Sequence, residues 1–206
     1  MRILAISGAP KAGMFLRRWT DNGHQTQSIA LAELEKRGGI VDADVILLDL
    51  GGSAGGDFAT LARHLEGKIV IDCSNPADLS DLRGGAGSIA ERIADACPGA
   101  AVVKALNVIS APALERMLTQ GGAERLRGYT SGYFCGDHED ARRTAAALID
   151  EVHLDAIDCG PLANATLLEA LGLLTRHLET QATSGADFII SIVKAHGDSS
   201  PLDRWM

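Results

Sequence analysis

The stretch Arg2 to Gly13, RILAISGAPKAG, decides the fold class of this chain. Its apolar run, Ile3 to Ile6, is uninterrupted, as in a strand that is covered on both faces. The small-residue turn Gly8-Ala9-Pro10-Lys11-Ala12-Gly13 follows, and the pattern then predicts a helix over 14–21 and a second strand over 24–28. Strand, turn, helix and strand in this order predict a βαβ unit.

The same alternation continues along the chain. Further strands are predicted over 45–48, 68–72, 101–105, 132–135 and 153–158, and further helices over 29–37, 57–65, 88–97, 112–118, 140–151, 164–181 and 185–196. Because parallel strands need a crossover element, this order predicts an α/β fold: a Rossmann-like, doubly wound, mostly parallel sheet with C-terminal helices. We assign residues 1–160 to the Rossmann-like domain and residues 161–206 to a C-terminal helical region and tail.

Composition excludes several classes of function. The chain has 206 residues, of which 46% are hydrophobic, so it can bury a sizeable core. Its formal net charge of −8 argues against nucleic acid and anionic membranes as partners. The N-terminus does not resemble a signal peptide, and no uncharged stretch approaches the ~20 residues of a membrane span, so we expect a cytoplasmic protein.

The cysteines indicate neither a disulfide framework nor a metal site. All 4 are isolated, without a CxxC pair or a histidine at metal-ligand spacing, and each borders an apolar run. We therefore expect buried, reduced thiols and no bound metal.

The first turn suggests a dinucleotide site with one departure. Such a turn carries glycine at its first, third and sixth places, and here Gly8 and Gly13 occupy the outer two while Pro10 takes the middle one. Pro10 offers no N–H and its ring occupies space near the phosphate path, whereas Lys11 adds a positive charge. Gly8, Ala9, Pro10, Lys11, Ala12 and Gly13 are the predicted cofactor-binding turn; a tight turn without a ligand is the alternative.

The end of the second strand favours NADP over NAD. An acid there would bond the 2′-hydroxyl of NAD and repel the 2′-phosphate of NADP, but the run Gln25 to Ile29 has none. Ser28 could bond a phosphate. Its alternative role is the N-cap of the following helix.

Three loops at strand ends are candidate binding elements, because open α/β sheets bind ligands there. The predicted contacts are Leu50, Gly51, Ser74, Asn75, Pro76, Lys104, Ala105 and Asn107. Lys104 is unusual within an apolar strand, since burying an unpaired ammonium is costly. Its charge either faces an anionic cofactor or pairs with a carboxylate such as Asp72, and the sequence leaves both open.

We find no catalytic constellation. There is no G-x-S-x-G motif, and Glu169 and Glu179 on the long C-terminal helix are expected on its solvated face. Hydride transfer between two bound rings needs no such group, so no catalytic residue is assigned.

Several segments together resemble the coenzyme F420-dependent NADP oxidoreductase family, and are similar also to the reductase domain of STEAP metalloreductases. The segments are GKIVIDCSNP from Gly67 to Pro76, GSIAE from Gly87 to Glu91, PGAAVVKALNVIS from Pro98 to Ser110, Cys135 to Asp137 with the helix after it, and DCGPLANATLLE from Asp158 to Glu169. The resemblance covers residues 67–177 well and the N-terminal third in outline.

The resemblance implies an NADP(H)-binding Rossmann domain and a helical region that closes a cleft for F420 or a flavin, commonly in a homodimer. Gly8 and Gly13 match the outer glycines of the family's dinucleotide-binding turn, and Ser28 matches the serine that meets the 2′-phosphate. Residues 74–76 and 104–107 match the loops that line the cleft for the nicotinamide and the partner ring.

The NADP half departs from the family at four points. Pro10 replaces a glycine, Ile29 replaces an arginine for the 2′-phosphate, and Leu50-Gly51-Gly52 replaces an apolar-Pro turn. The segment before Asp44 is also too short for the customary extra strand and helix. Our hypothesis is an NADP-linked oxidoreductase acting with F420 or a flavin; the alternative is a non-catalytic ligand-binding or interaction module with an eroded dinucleotide site.

Overall fold

A computed structural model of the chain describes residues 1–7, 10–36, 42–51, 58–85, 87–119, 130–181 and 188–192. A seven-stranded sheet in the order β2-β1-β3-β4-β5-β6-β7 forms its centre. The strands are β1 Arg2–Ser7, β2 Gln25–Ile29, β3 Val45–Asp49, β4 Ile69–Asp72, β5 Ala101–Ala105, β6 Ser131–Gly136 and β7 Asp155–Asp158.

Helices connect the strands and cover both faces of the sheet. Those within the described ranges are α1 Pro10–Asp21, α2 Leu31–Lys36, α3 Ala59–Leu65, α4 Leu79–Arg83, α5 Ile89–Ala96, α6 Ala111–Thr119, α7 Glu139–Glu151 and α8 Ala165–Gln181, with a 3-10 turn at Leu162–Asn164 before α8.

Alternate residues of each central strand enter two separate apolar clusters, one on each face. In β1, Ile3 packs in the cluster under α1, α6 and α7, which includes Phe15 and Trp19. Leu4 packs in the cluster under α2, α3, α5 and α8, which includes Ile93 and Leu168. This two-sided burial explains the unbroken apolar runs, and it confirms the doubly wound sheet.

The sheet is mostly parallel, as predicted, with one exception. Strand β6 runs antiparallel to β5, with Val103 opposite Gly136 and Ala105 opposite Phe134, and β7 then pairs parallel to β6. The strand periodicity is the same in both orientations, so the sequence pattern could not reveal this reversal.

The order of the first three strands determines where the switch point of the sheet lies. Strand β2 forms one edge of the sheet, and β1 lies between β2 and β3. The chain thus turns to opposite sides of β1 in its first two crossovers, which makes the carboxyl end of β1 the switch point of the sheet.

Two helices, α1 and α4, depart from the sequence prediction. Helix α1 begins at Pro10 rather than at Met14, because proline is tolerated in a first helical turn, where its missing N–H would have no partner. Helix α4 was not predicted; Asp78 begins it through a capping box with Asp81. The capping box of Ser88 with Glu91 at the start of α5 is confirmed.

The predicted helix over 185–196 is wrong for residues 188–192, which carry no helix; the rest of it lies outside the described residues. The backbone here is held by β6 instead, since Tyr133 Oη donates to Ile190 O at 3.1 Å and Ile192 N donates to Ser131 Oγ at 3.0 Å. Ile192 is exposed, so the apolar spacing that suggested a helix does not mark a buried helical face.

The thiols are largely buried, as expected. Cys73, Cys97 and Cys135 are buried and Cys159 is half-buried, and all are free. Burial raises the pKa of Cys135 to about 12. Among the described residues, we find no helix that is long and apolar enough to cross a membrane.

Candidate functional site

A cleft of about 260 Å³ lies where the carboxyl ends of β1, β3, β4 and β5 meet α8. This is the edge at which open α/β sheets bind ligands. Its lining consists of Pro10, Lys11, Asp49, Asn75, Asn107, Val108, Ile109, Ser110, Ala111, Gly172, Thr175, Arg176 and Glu179.

The start of α1 forms one wall of the cleft. Helix α1 has no acidic residue in its first turn, so the positive end of its dipole is unopposed within the helix. Lys11 Nζ donates to Cys73 O at 3.5 Å, which places its charge beside the end of β4. Asp49 also lines the cleft and accepts from Gly51 N through Oδ1 at 3.2 Å. The wall therefore carries a helix N-terminus, one cation and one carboxylate.

Two asparagines join the loops that follow β4 and β5. Asn75 Nδ2 donates to Asn107 O at 2.7 Å, and Asn107 Nδ2 donates back to Asn75 Oδ1 at 2.8 Å. Leu106, directly before Asn107, has a φ of 58°, a left-handed conformation that is rare for leucine and persists where its surroundings enforce it. The reciprocal amide bonds supply part of that constraint.

Helix α8 approaches these loops closely at Gly172. A Cβ at this position would lie 2.4 Å from Asn75 Oδ1, so no larger residue fits without moving the asparagine. Asn107 Nδ2 also donates to Leu168 O at 2.8 Å, and Arg176 Nη2 donates to Pro76 O at 3.3 Å. The helix is thus fastened to both loops over two turns.

Behind the cleft, Lys104 forms a buried ionic network. Its Nζ donates to Asp72 Oδ2 at 2.7 Å, to Glu169 Oε1 at 2.8 Å and to Ser74 O at 2.5 Å. The side chains of Lys104 and Asp72 are 0% exposed and that of Glu169 is 1% exposed. Of the two roles left open for Lys104, the structure shows the ion pair with Asp72, and it adds Glu169 as a second partner.

Burial and neighbouring charges shift the pKa values of the groups in this network in opposite directions. Burial alone would lower the pKa of Lys104, but the attraction of Asp72 and Glu169 outweighs it, and the pKa lies above its ordinary value. Burial raises the pKa of Glu169, although Lys104 opposes that shift. The ammonium is therefore retained in its charged form.

The network extends to three neighbouring elements. Ser74 N donates to Asp72 Oδ1 at 3.0 Å, and Leu50 N donates to Ser74 Oγ at 2.9 Å, which ties the end of β3 to the end of β4. Ile89 N at the start of α5 donates to Glu169 Oε1 at 2.9 Å. One buried cation thereby connects the loops at the sheet edge with α5 and α8.

The structure brings Pro10, Lys11, Asn75 and Asn107 together in the cleft lining. Four further predicted residues are adjacent but buried: Ala12, Ser74, Lys104 and Ala105. Pro76 is also buried, Leu50 and Gly13 are half-buried, and Gly51 is exposed. Gly8 and Ala9 lie outside the described residues.

Ser28 stands apart from the cleft lining. It is exposed on the edge strand β2, and it is not the N-cap of α2, which begins at Leu31. The side chain is therefore accessible to a ligand that reaches the end of β2.

Sequence reasoning missed the part of the site that α8 contributes. The expectation that Glu169 is solvated is wrong, because its side chain is the counter-charge of Lys104. Thr175, Arg176 and Glu179 line the cleft but were not predicted. The spacing of four residues in α8 could have indicated this part of the site. Glu169, Gly172, Arg176 and Glu179 are three or four positions apart, which places them on one face of the helix.

No family model matches the chain. Metalloreductase STEAP3 of Rattus norvegicus is 36% identical over 116 residues, which are 56% of this chain and 22% of that protein. The chain thus spans about a fifth of the length of this curated relative.

Solved structures share the fold over most of the chain. A protein from Arthrobacter sp. FB24, provisionally assigned as an F420-dependent NADP reductase, superposes with a TM-score of 0.72 at 23% identity and covers 94% of this chain and 100% of its own. An imine reductase of Streptomyces aurantiacus superposes with a TM-score of 0.53 at 13% identity, over 87% of this chain and 63% of its own.

The fold and the placement of the cleft thus define a Rossmann-like protein with a cleft at the carboxyl edge of its sheet. Within that class, the resemblance found in the sequence motifs is confirmed: the chain is similar in structure to a protein provisionally assigned as an F420-dependent NADP reductase, and in sequence to metalloreductase STEAP3.

The buried network predicts a large stability effect for Lys104→Met. Removing the ammonium leaves Asp72 and Glu169 buried without a counter-charge, which should lower the free energy of unfolding by about 3–5 kcal/mol. Urea unfolding monitored by circular dichroism measures the change.

Lys36→Met is the matched control, because Lys36 is exposed at the end of α2 and its loss should change stability by no more than about 0.5 kcal/mol. Equal stability of both variants would show that the Lys104 ion pairs contribute nothing to folding.

Proposed function

We propose that this protein is an NADP-linked oxidoreductase that passes a hydride between NADPH and a deazaflavin (F420) or a flavin. The observation that carries the proposal is the cleft itself. Lys11 from the start of α1 and Asn75 and Asn107 from two loops converge there at the carboxyl edge of a doubly wound sheet, and α8 covers them. The similarity to a STEAP reductase and to an F420-dependent NADP reductase supports the same chemistry.

The residues of the cleft fit a dinucleotide. The N-terminus of α1 and the ammonium of Lys11 would hold the pyrophosphate, since helix N-termini favour anions. Ser28 would meet the 2′-phosphate at the end of β2. Asn107 Oδ1 is buried without a hydrogen-bond partner among the described residues, so a donor on a bound ring would satisfy it.

The reaction asks the protein for binding and orientation rather than for acid-base chemistry. The bound cofactors would supply the hydride chemistry. The Asn75 and Asn107 amides fix the two loops relative to each other, and Gly172 lets α8 approach them closely. Lys104 acts at a distance, by holding α8 on the sheet through Glu169.

A non-catalytic ligand-binding module is the second candidate, and the wall of the cleft supplies its support. Pro10 at the first position of α1 removes one N–H from the phosphate path. Asp49 adds a carboxylate to the same wall, which would repel a pyrophosphate. Both features weaken dinucleotide binding without affecting the fold.

A homodimer is part of the proposal. An apolar groove of about 710 Å³ lies between α4 and α8 on the outer side of the cleft. Leu79 and Leu174 are 54% and 47% exposed along it, and Leu167 on α8 is 67% exposed. Large exposed leucines on neighbouring helices are typical of a surface that a second subunit covers.

Calorimetric titration with NADPH, NADH, F420 and FMN tests the proposed cofactors. We expect NADPH to bind more tightly than NADH, because Ser28 is accessible and β2 itself contains no acid. The difference in affinity between NADPH and NADH should be modest, since no arginine at the end of β2 provides a bidentate clamp on the 2′-phosphate.

Ser28→Ala should reduce the preference for NADPH over NADH. Gln27 is an exposed neighbour on the same strand, and Gln27→Ala should leave this preference unchanged. A preference for NADH would contradict the assignment of NADP. If neither nucleotide binds, the protein is not a dinucleotide enzyme, and the non-catalytic module is favoured.

Pro10→Gly should strengthen dinucleotide binding. The substitution removes the ring from the phosphate path and restores an N–H, and a hydrogen bond made by it is worth about 0.5–1.5 kcal/mol. Added backbone freedom opposes the gain by up to ~1 kcal/mol. The same calorimetric titration measures the net effect, and weaker binding of NADPH would show that α1 does not receive the pyrophosphate.

A further inference from the structure

Two oxygen atoms of the cleft residues are buried without a hydrogen-bond partner among the residues that the structure describes. They are Asn107 Oδ1 and Glu179 Oε1. Both residues line the same cleft, Asn107 from the loop after β5 and Glu179 from the last turns of α8. Buried polar atoms are nearly always paired in native proteins, so two such atoms at one cavity indicate a missing partner.

The orientation of the Asn107 amide is fixed by its neighbours. Its Nδ2 donates to Leu168 O at 2.8 Å, and a backbone carbonyl can only accept. The second hydrogen of Nδ2 goes to Asn75 Oδ1 at 2.8 Å. The remaining atom of the amide is therefore the oxygen, an acceptor, in a residue that is only 2% exposed.

Glu179 adds a second acceptor. An ionised carboxylate has no hydrogen to donate, so Oε1 can be satisfied only by a donor. Glu179 is half-buried, and no hydrogen bond to its Oε1 arises from the described part of the chain. Its position two turns after Gly172 places it on the face of α8 that covers the cleft.

The two hydroxyl side chains of the lining each make a hydrogen bond within their own helix or at its start. Ser110 Oγ accepts from Ala113 N at 3.3 Å, and Thr175 Oγ1 donates to Leu171 O at 3.0 Å. Arg176 and Lys11 are accessible to water and can be hydrated. None of these side chains donates to Asn107 Oδ1 or Glu179 Oε1 in the described part of the chain, so a ligand in the cleft can supply the donor.

We infer that Asn107 and Glu179 form an acceptor pair that recognises an amide N–H on the bound ligand. Two ring systems in the proposed reaction carry such a group: the carboxamide of a nicotinamide, and the pyrimidine ring N–H of a flavin or deazaflavin. An amide N–H satisfies acceptors without bringing a charge. The inference rests on the proposed function and names the group by which the site selects its ligand.

Ligand pairs that differ only in this N–H test the inference by calorimetry. NADP⁺ is compared with its 3-acetylpyridine analogue, in which a methyl ketone replaces the carboxamide, and FMN is compared with N3-methyl FMN. We expect the wild-type protein to bind the parent compound at least about tenfold more tightly than its analogue in one of the two pairs. The pair that shows the difference identifies the ring that meets the acceptors.

Substitutions in α8 test whether Glu179 causes the preference for the parent compound over its analogue. Glu179→Ala should reduce the tenfold preference to about twofold, whereas Glu179→Gln, which keeps one acceptor oxygen, should retain most of it. Gln181→Ala is the matched control, since Gln181 is exposed on the same helix and its loss should change neither affinity. Circular dichroism melting confirms that each variant is folded.

Two results would overturn the inference in distinguishable ways. If the parent compounds bind and their analogues bind equally well, the acceptor pair does not recognise the amide, while the proposed function stands. If none of the four compounds binds to the wild-type protein, the proposed function fails, and the inference that rests on it fails too.

Discussion

The buried ammonium of Lys104 is the constraint on which the rest of the site depends. A single charge at this depth would cost several kcal/mol in lost hydration, so the chain must deliver counter-charges to it. It does so from two directions, with Asp72 on the neighbouring strand and Glu169 on α8. One cation faces two carboxylates. The start of α5 stabilises the additional negative charge, because Ile89 N donates to Glu169 Oε1 and the N-terminal end of a helix dipole is positive. Helix α8 can therefore dock in one register, with Glu169 over β5.

That register determines what faces the cleft. Once Glu169 is held, Gly172 comes against Asn75, and Arg176 and Glu179 follow one and two turns later over the open edge of the sheet. An apolar residue in place of Lys104 would remove a directional contact that helps to set this register, because hydrophobic contact is not directional. The hydrogen bonds of Asn107 to Leu168 O and of Arg176 to Pro76 O would remain. The ionic network thus provides positional specificity that the apolar clusters do not, and the geometry of the candidate site follows from it.

The sheet could be predicted from the sequence because a strand covered on both faces leaves an unbroken apolar run, as Val45 to Leu48 does. The reversal of β6 could not, since side chains alternate in the same way in both directions. The loops around Asn75 and Asn107 were identified because they follow strands directly. The contribution of α8 was missed because an isolated carboxylate on a helix usually faces water, and only the position of Lys104 shows that Glu169 does not. The helix expected over 188–192 failed because β6 captures that backbone instead.

The most direct test of this account is hydrogen–deuterium exchange, measured by mass spectrometry with and without saturating NADPH. If the loops after β4 and β5 and the covering helix form one binding unit, NADPH should slow exchange together in peptides that span 73–77, 104–111 and 165–181. Protection confined to other segments, such as the outer groove at α4, or protection of the loops without α8, would contradict the claim that the Lys104 network builds the cofactor cleft.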